Sequence, residues 1–308
     1  MKRKIKGMSK KRIVIILVSS CGLFFGLTAR TAYLQIIKGN WLSEKAIEQQ
    51  TREVPIPAKR GTIYDRNMKE LAVSATKYTV WCKPVEVEDK EKESKTLSKI
   101  LEKDEKEILE LVGKRNMALV KIERWIDDEK AGKIREAKIP GIWVAEDNQR
   151  YYPYGNFAPY VLGHTSADSQ GIAGVEMQYN KELQGVDGKL IISTDASGRE
   201  IPRGMEKYFE PTQGNGVVLT IDEVIQHYTE KAVQKAYELN NAKRVTVVAL
   251  DPKTGDVLSM ASKPDYDPND PRSPIYPYFE DELAKYSEKD KLKGYYQMWR
   301  NPAVSDTY

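Results

Sequence analysis

Residues 13–29, IVIILVSSCGLFFGLTA, carry no charge over seventeen positions, with Lys10-Lys11-Arg12 before them and Arg30 after. That is about the shortest apolar run able to cross a bilayer, so it decides where the rest of the chain can fold. Three fates compete for such a segment. A cleaved export signal would close on a small-x-small site, but Arg30 stands there and TAYLQIIKGNWL continues as an amphipathic helix. Val18-Ser19-Ser20-Cys21 loosely mimics a lipidation box, yet Leu23-Phe24-Phe25 stays apolar beyond the cysteine, where a lipoprotein turns polar. The expectation is an uncleaved single-pass anchor in the cell membrane, its basic N-terminus kept in the cytoplasm and the bulk of the chain outside. Cys21 then sits in lipid and Cys82 outside, so the two do not pair.

The 308 residues leave room for about two domains, with a globular balance of 40% hydrophobic and 31% charged residues. The formal charge of +4 misleads, because seven of the 49 basic residues precede residue 13; the remaining 42 face 45 acids, a balance of −3. A folded part with that balance lacks the basic surface that nucleic acid requires. Two cysteines exclude a disulfide framework or a cysteine-rich zinc site. His164 and His227 are too few for a histidine-rich metal site or a Ser-His-Asp arrangement. Asp265, Asp267, Asn269 and Asp270 resemble a calcium loop only at its start, lacking the turn glycine and the distal glutamate, so a surface loop is expected. Neither metal nor cofactor is expected.

Along the chain, residues 60–81 alternate around a turn at Asp65-Arg66-Asn67 and predict a β-hairpin. Residues 90–114 place Leu97, Ile100, Leu101, Ile108, Leu111 and Val112 on one helical face. Residues 121–138 predict a second short helix, and 141–145 a strand. The tyrosines of 150–160 are expected to pack a domain hinge, and Asp195-Ala-Ser-Gly198 marks another hairpin turn. Thr220-x-x-Glu223 is a capping box opening a helix with Ile221, Val224, Ile225, Tyr228, Ala232 and Ala236 on its inner face. Residues 244–251 and 256–262 form strands joined by Pro252-Lys-Thr-Gly255, followed by a proline-rich loop. One hairpin and one helix cannot bury both faces of a sheet, so residues 213–308 are not expected to fold alone.

Arg60-Gly61-Thr-Ile-Tyr-Asp65-Arg66 with Leu71-Ala72 closely resembles the signature of class B penicillin-binding proteins. Arg150-Tyr-Tyr-Pro through Val161-Leu-Gly163, then Gly171-x-x-Gly174-x-Glu176, resemble the membrane-proximal pedestal of that family, its dimerisation domain. Val218-Leu-Thr-Ile-Asp222 with Gln226 resembles the entrance to its transpeptidase domain, and Asp251-Pro-x-Thr-Gly255-Asp-Val-Leu the first hairpin of that domain. Within the family the chain is most similar to the sporulation group related to stage V sporulation protein D. The resemblance implies an α+β fold: a basic tail (1–12), an anchor (13–29), a linker helix (30–58), a β-rich pedestal (59–212) and the opening of a transpeptidase domain (213–308). One departure is physical: the family usually places Gly after Asp-Arg-Asn, whereas Met68 stands here, and a non-glycine at positive φ costs about 1–2 kcal/mol. Either Asn67 takes the left-handed position or the turn is of another type.

The resemblance also implies a chemistry, attack by the serine of Ser-x-x-Lys on a D-Ala carbonyl of a peptidoglycan stem peptide, with a Ser-x-Asn loop and a Lys-Thr/Ser-Gly strand completing the site. Ser74-Ala-Thr-Lys77, Tyr154-Gly-Asn156 and Lys253-Thr-Gly255 match these strings, but a strand points Ser74 and Lys77 to opposite faces and the third lies in a turn. No catalytic residue is expected among them. In relatives the nucleophile follows an Asn-Pro/Ala stretch like Asn301-Pro-Ala-Val-Ser-Asp-Thr-Tyr308, which places it beyond the last residue here. The chain is expected to be the non-catalytic, membrane-anchored part of a peptidoglycan-synthesising protein, for cell wall or spore cortex. A shortened record of a complete serine D,D-transpeptidase and a tethered sensory ectodomain are the alternatives. Implied partners are a polytopic glycosyltransferase in the membrane and a second copy of the chain, with stem peptide and β-lactam where the full domain is present.

Overall fold

The computed structural model describes residues 7–39, 41–42, 45, 51–114, 117, 119–193 and 206–306. They form two units, residues 1–55 with 189–209, and residues 56–188 with 210–308. In the first unit the apolar run lies within helix α1 (Gly7–Ala32), which widens into a π-turn at Tyr33–Ile37. From Arg12 to Ile37 the helix has a mean hydropathy of 2.0 and none of it is buried against protein. Strand β1 (Thr51–Ile56) follows, so the linker helix expected over 30–58 gives way to extended chain before its end. β1 joins β6 (Gly188–Ser193) and β7 (Glu206–Phe209) in a three-stranded sheet of order β1-β6-β7. The turn expected at Asp195–Gly198 lies outside the described residues.

The spine of the second unit is the long strand β3 (Glu70–Cys82), reached from β2 (Ile63–Tyr64) through the expected hairpin. β5 (Ile142–Tyr151) pairs antiparallel along ten residues of β3, and β4 (Val120–Ile126) pairs antiparallel with its far end, from Tyr78 to Cys82. β2 also pairs in parallel with β8 (Val217–Val218), Ile63 opposite Val217, which ties residues 63–64 to chain more than 150 residues later.

Two expectations fail here for local reasons. The helix expected over 90–114 is broken into α2 (Lys90–Leu101) and α3 (Glu105–Gly113), because Glu102 turns left-handed at φ 59 and Asp104 caps a fresh start. The segment 121–138 begins as strand β4 and only becomes helical in α4 (Asp128–Ala137), so its helical period covers half the expected range. These helices cover the sheet over a core of Val80, Cys82, Leu97, Leu101, Ile108, Val112, Ile122 and Ile134. Burial pushes the Cys82 thiol up to about 11, so it stays protonated and inert.

Short helices α5 (Pro159–Leu162), α6 (Gly174–Gln178) and α7 (Asn180–Gln184) complete the region before β6. Beyond β8, α8 (Glu223–Leu239) packs on the hairpin β9 (Val245–Leu250) and β10 (Val257–Lys263), followed by α9 (Pro277–Ala284), α10 (Lys291–Trp299) and α11 (Pro302–Ser305). The inner face of α8 differs from expectation. Gln226 and Val233 are buried, while Val224, Ile225 and Tyr228 are 50%, 37% and 67% exposed. The Gln226 amide explains the rotation: it accepts from the Met260 N–H at 2.7 Å and donates to the Met260 carbonyl at 3.0 Å, acting toward β10 as a strand would.

A third core joins the two segments, with Tyr160 packed among Tyr266, Phe279, Met298 and Trp299. The Tyr160 hydroxyl donates to the Pro264 carbonyl at 2.7 Å, and the Tyr266 hydroxyl donates to the Pro159 carbonyl at 3.0 Å. The core under residues 213–306 therefore contains a side chain that such a fragment lacks. In isolation those amides of Val245–Leu250 that bond to β10 should exchange with protection factors below about 10, while the same amides in the full chain should be strongly protected. Native-like protection in the fragment would contradict this.

Candidate functional site

The residues singled out by the sequence meet in two clusters of the second unit. The first is ionic and buried. Arg60 leaves the loop before β2, Arg150 ends β5, and Glu176 sits in α6 with 0% exposure. Arg60 Nε donates to Glu176 Oε2 at 2.6 Å and Arg150 Nε to Glu176 Oε1 at 2.6 Å, so one carboxylate serves two guanidiniums. The other donors are largely occupied. Arg60 Nη2 donates to the Glu176 carbonyl at 2.7 Å, and Nη1 donates to the Ser169 carbonyl at 2.9 Å and to Asn180 Oδ1 at 2.8 Å. Arg150 Nη1 donates to the Gly61 carbonyl at 2.8 Å. Burial, reinforced by the Glu176 charge, holds the Tyr152 phenol far above its usual range, and its hydroxyl reaches Glu176 Oε1 at 3.4 Å.

Glycines allow the backbone to close around this cluster. Gly163 has φ +75, and a Cβ on it would stand 1.8 Å from the Ala173 carbonyl oxygen; one on Gly171 would stand 1.9 Å from that of Glu176. Gly174 lies across the same contact, and Gly61 against the Asn215 carbonyl.

The second cluster joins the hairpin turn to α8. Asp65, fully buried, accepts from the N–H groups of Asn67 at 2.7 Å and Lys69 at 2.8 Å through Oδ1, and from Glu223 N–H at 3.2 Å through Oδ2. The Arg66 N–H donates to the Ile221 carbonyl at 3.0 Å. The cap of α8 is Asp222 rather than the expected Thr220: its Oδ1 accepts from Val224 and Ile225, and its Oδ2 from the Asn67 amide at 3.1 Å. Thr220 instead donates to the Val257 carbonyl at 2.8 Å. Burial pushes the Asp222 carboxyl up, but the Ile225 N–H, the Asn67 amide and the Val224 N–H outweigh it and hold the carboxyl below its usual range. The left-handed residue of this turn is Met68 itself, at φ 64, and not Asn67. Asp65 fixes the backbone on both sides of Met68, which holds the strained residue in place. Asp251 and Gly255 (φ +82) close the β9–β10 turn apart from both clusters, the Gly255 N–H donating to the Asp251 carbonyl at 2.8 Å.

The catalytic-looking strings are not arranged for catalysis. Ser74 and Lys77 lie in strand β3, where the Ser74 hydroxyl donates to the Arg60 carbonyl at 3.0 Å and Lys77 pairs with Asp127. Lys253 lies exposed in a turn, and Asn156 donates to Asp265 at 3.3 Å. Asp265 is also paired with Lys263 at 2.6 Å in the interior, and the Asn269 side chain binds the backbone of Tyr152 at both N–H and carbonyl. His164 is buried against Trp299, with ring centroids 4.4 Å apart. His227 is exposed on α8. Sequence reasoning missed Asn180, whose Oδ1 bridges Arg60 and the Gly171 N–H; no periodicity or motif marks it.

Comparison with known proteins agrees with this geometry. The profile of the Penicillin-binding Protein dimerisation domain matches residues 55–219, and that of the Penicillin binding protein transpeptidase domain matches residues 245–308. Stage V sporulation protein D of Bacillus subtilis (strain 168) is 34% identical over 86% of this chain and 41% of its own length. A probable peptidoglycan D,D-transpeptidase PenA of Neisseria meningitidis is 31% identical over 85% of this chain and 46% of its own. A peptidoglycan synthetase from Bifidobacterium adolescentis superposes with a TM-score of 0.56 at 25% identity, covering 84% of this chain and 49% of that one. The chain thus spans less than half the length of these two sequence relatives and about half of that structure.

Two measurements test the site. Glu176→Gln leaves two buried guanidiniums facing a neutral amide and should cost about 3–5 kcal/mol in urea denaturation of the full chain in detergent; a loss below about 1 kcal/mol would contradict the assignment. Burial, and secondarily the Arg272 charge, push His164 down from 6.5 to about 4. The unfolded chain therefore takes the proton first. The stability due to neutral His164 is complete above pH 6.5 and falls as pH drops toward 4, by up to about 3 kcal/mol. His164→Phe should flatten that part of the pH profile of the denaturation midpoint.

Proposed function

Because this chain belongs to the penicillin-binding proteins, we propose that it serves peptidoglycan synthesis as the membrane-anchored portion that holds and orients a D,D-transpeptidase domain. The Asp65 and Asp222 junction carries this reading, since the same turn that leads into the Arg60–Glu176–Arg150 cluster also caps the first helix of the transpeptidase segment. The relatives' names, peptidoglycan D,D-transpeptidase and stage V sporulation protein D, support the wall or cortex as the setting. The α1 helix supports a single-pass anchor, and Lys10-Lys11-Arg12 beside it support a cytoplasmic N-terminus. Everything beyond the anchor then lies where nascent wall is built. A polytopic glycosyltransferase, met through α1 and the pedestal, is the partner this placement favours, and pairing with a second copy would use the dimerisation domain.

Residues 1–308 supply position rather than chemistry in this reading, as the occupied Ser74 hydroxyl and Lys77 ammonium indicate. A fluorescent penicillin should leave the 308-residue product unlabelled. The same product joined to the downstream half of the Bacillus subtilis relative should become labelled, and Ser74→Ala should leave that labelling unchanged. Covalent labelling of the 308-residue product that disappears in Ser74→Ala would overturn the reading.

A further inference from the structure

The two edges of the β9–β10 hairpin differ. On β10, the Leu258 carbonyl accepts from the Asp222 N–H at 2.9 Å and the Val257 carbonyl from the Thr220 hydroxyl at 2.8 Å, while Gln226 takes both backbone groups of Met260. The start of α8 thus closes that edge. Since Met260 turns its backbone groups to α8, its neighbours Ser259 and Ala261 turn theirs to β9, opposite Ala249 and Val247. Alternation then directs the N–H and C=O groups of Thr246, Val248 and Leu250 to the far edge of β9, where no strand pairs among the described residues.

Open edges are normally blunted by charge, proline or a bulge. β9 carries none of these: Val245-Thr-Val-Val-Ala-Leu250 is uncharged, and the bulge of the hairpin, between Val257 and Ser259, lies on β10. Val247, Val248 and Leu250 are exposed although apolar. Such an edge is a template for another strand. Its flanks select which strand fits. Lys243 is exposed, with no hydrogen bond or ion pair among the described residues. Asp251 accepts from the Lys253 N–H at 2.8 Å through Oδ1, and its Oδ2 has no partner among the described residues. Val247 stands midway between Lys243 and Asp251. An antiparallel copy related by a two-fold axis at Val247 therefore sets Lys243 opposite Asp251 of that copy, at both ends of the contact. In the same register Thr246 and Val248 exchange backbone hydrogen bonds with Val248 and Thr246 of the copy. Opposite charges at directly paired positions stabilise a sheet, and like charges weaken it.

We propose that the open edge of β9 pairs with β9 of a second copy of this chain, joining two hairpins into one four-stranded antiparallel sheet. The interface is isologous, so one self-complementary segment serves both sides. It lies within residues 243–251, apart from any pairing through the dimerisation domain, and does not depend on the wall-synthesis reading.

The test uses the full 308-residue chain in detergent, with the exposed Cys21 replaced by serine and Cys82 left in its buried place. Diamide should link Val247→Cys to its copy on a non-reducing gel, because the facing Cα atoms of a non-hydrogen-bonded pair lie about 4.5 Å apart, within disulfide range. Leu250→Cys, displaced from its copy by about 20 Å along the strands, should stay unlinked. Sedimentation equilibrium should give a dimer with Kd below about 100 μM. Lys243→Glu, which faces Asp251 of the copy with a like charge, should raise that Kd about tenfold. Val248→Pro removes an N–H that serves only the open edge, so it should raise the Kd at least about tenfold while the Val247 and Ala249 amides stay protected by β10. A monomer at about 100 μM, equal linking of the two cysteine variants, or an unchanged Kd in Lys243→Glu would overturn the proposal.

Discussion

A single carboxylate shared by two guanidiniums holds the second unit together. The side chains of Arg60, Arg150 and Glu176 are 2%, 3% and 0% exposed, so the ions are removed from water and must compensate one another. Desolvation on this scale is costly, and it is offset only when geometry and additional hydrogen bonds are good. Here the supporting bonds go to backbone carbonyls of Gly61, Ser169 and Glu176 and to Asn180. No one of the three segments can therefore be displaced without stranding a buried charge. The loop before β2, the end of β5 and helix α6 are fixed as a set.

From that fixed point the constraint passes along β2 to the Asp65 turn and into α8. Asp65 holds the turn on one side and the first N–H of the helix on the other, while Asp222 caps the helix and is held by Asn67. Gln226 then locks the helix to β10 through both amide atoms, and Tyr160 of α5 packs against Tyr266, Phe279, Met298 and Trp299. Bonds spanning more than 100 residues of sequence recur along this path, which makes the junction a product of the whole unit rather than of a local motif. The core under α2, α3 and α4 is built separately, from β3 to β5 and their own helices.

The differences between expectation and structure share a cause. Periodicity predicted helix through Glu102 and through residues 121–126, yet a left-handed residue with a new aspartate cap ended the first, and pairing with β3 claimed the second. A capping box at Thr220 was outcompeted because its hydroxyl serves the Val257 carbonyl, leaving the cap to Asp222 two residues later. At Met68 the expected glycine conformation is kept without glycine, since Asp65 binds the N–H groups on either side.

The amino-acid sequence determined what depends on neighbours along the chain: an uncharged run long enough to span a bilayer, the hairpin turns at residues 65–67 and 252–255, the opposite facing of Ser74 and Lys77, and the order of the motifs. These signals are local, set by composition, turn residues and the two-residue period of a strand. Only the tertiary structure decided that Arg60, Arg150 and Glu176 meet, that Asn180 completes them, and that α8 turns Gln226 inward rather than Val224 and Tyr228. Those outcomes rest on partners distant in sequence, and no local period encodes which polar group will find its counterpart once water is excluded.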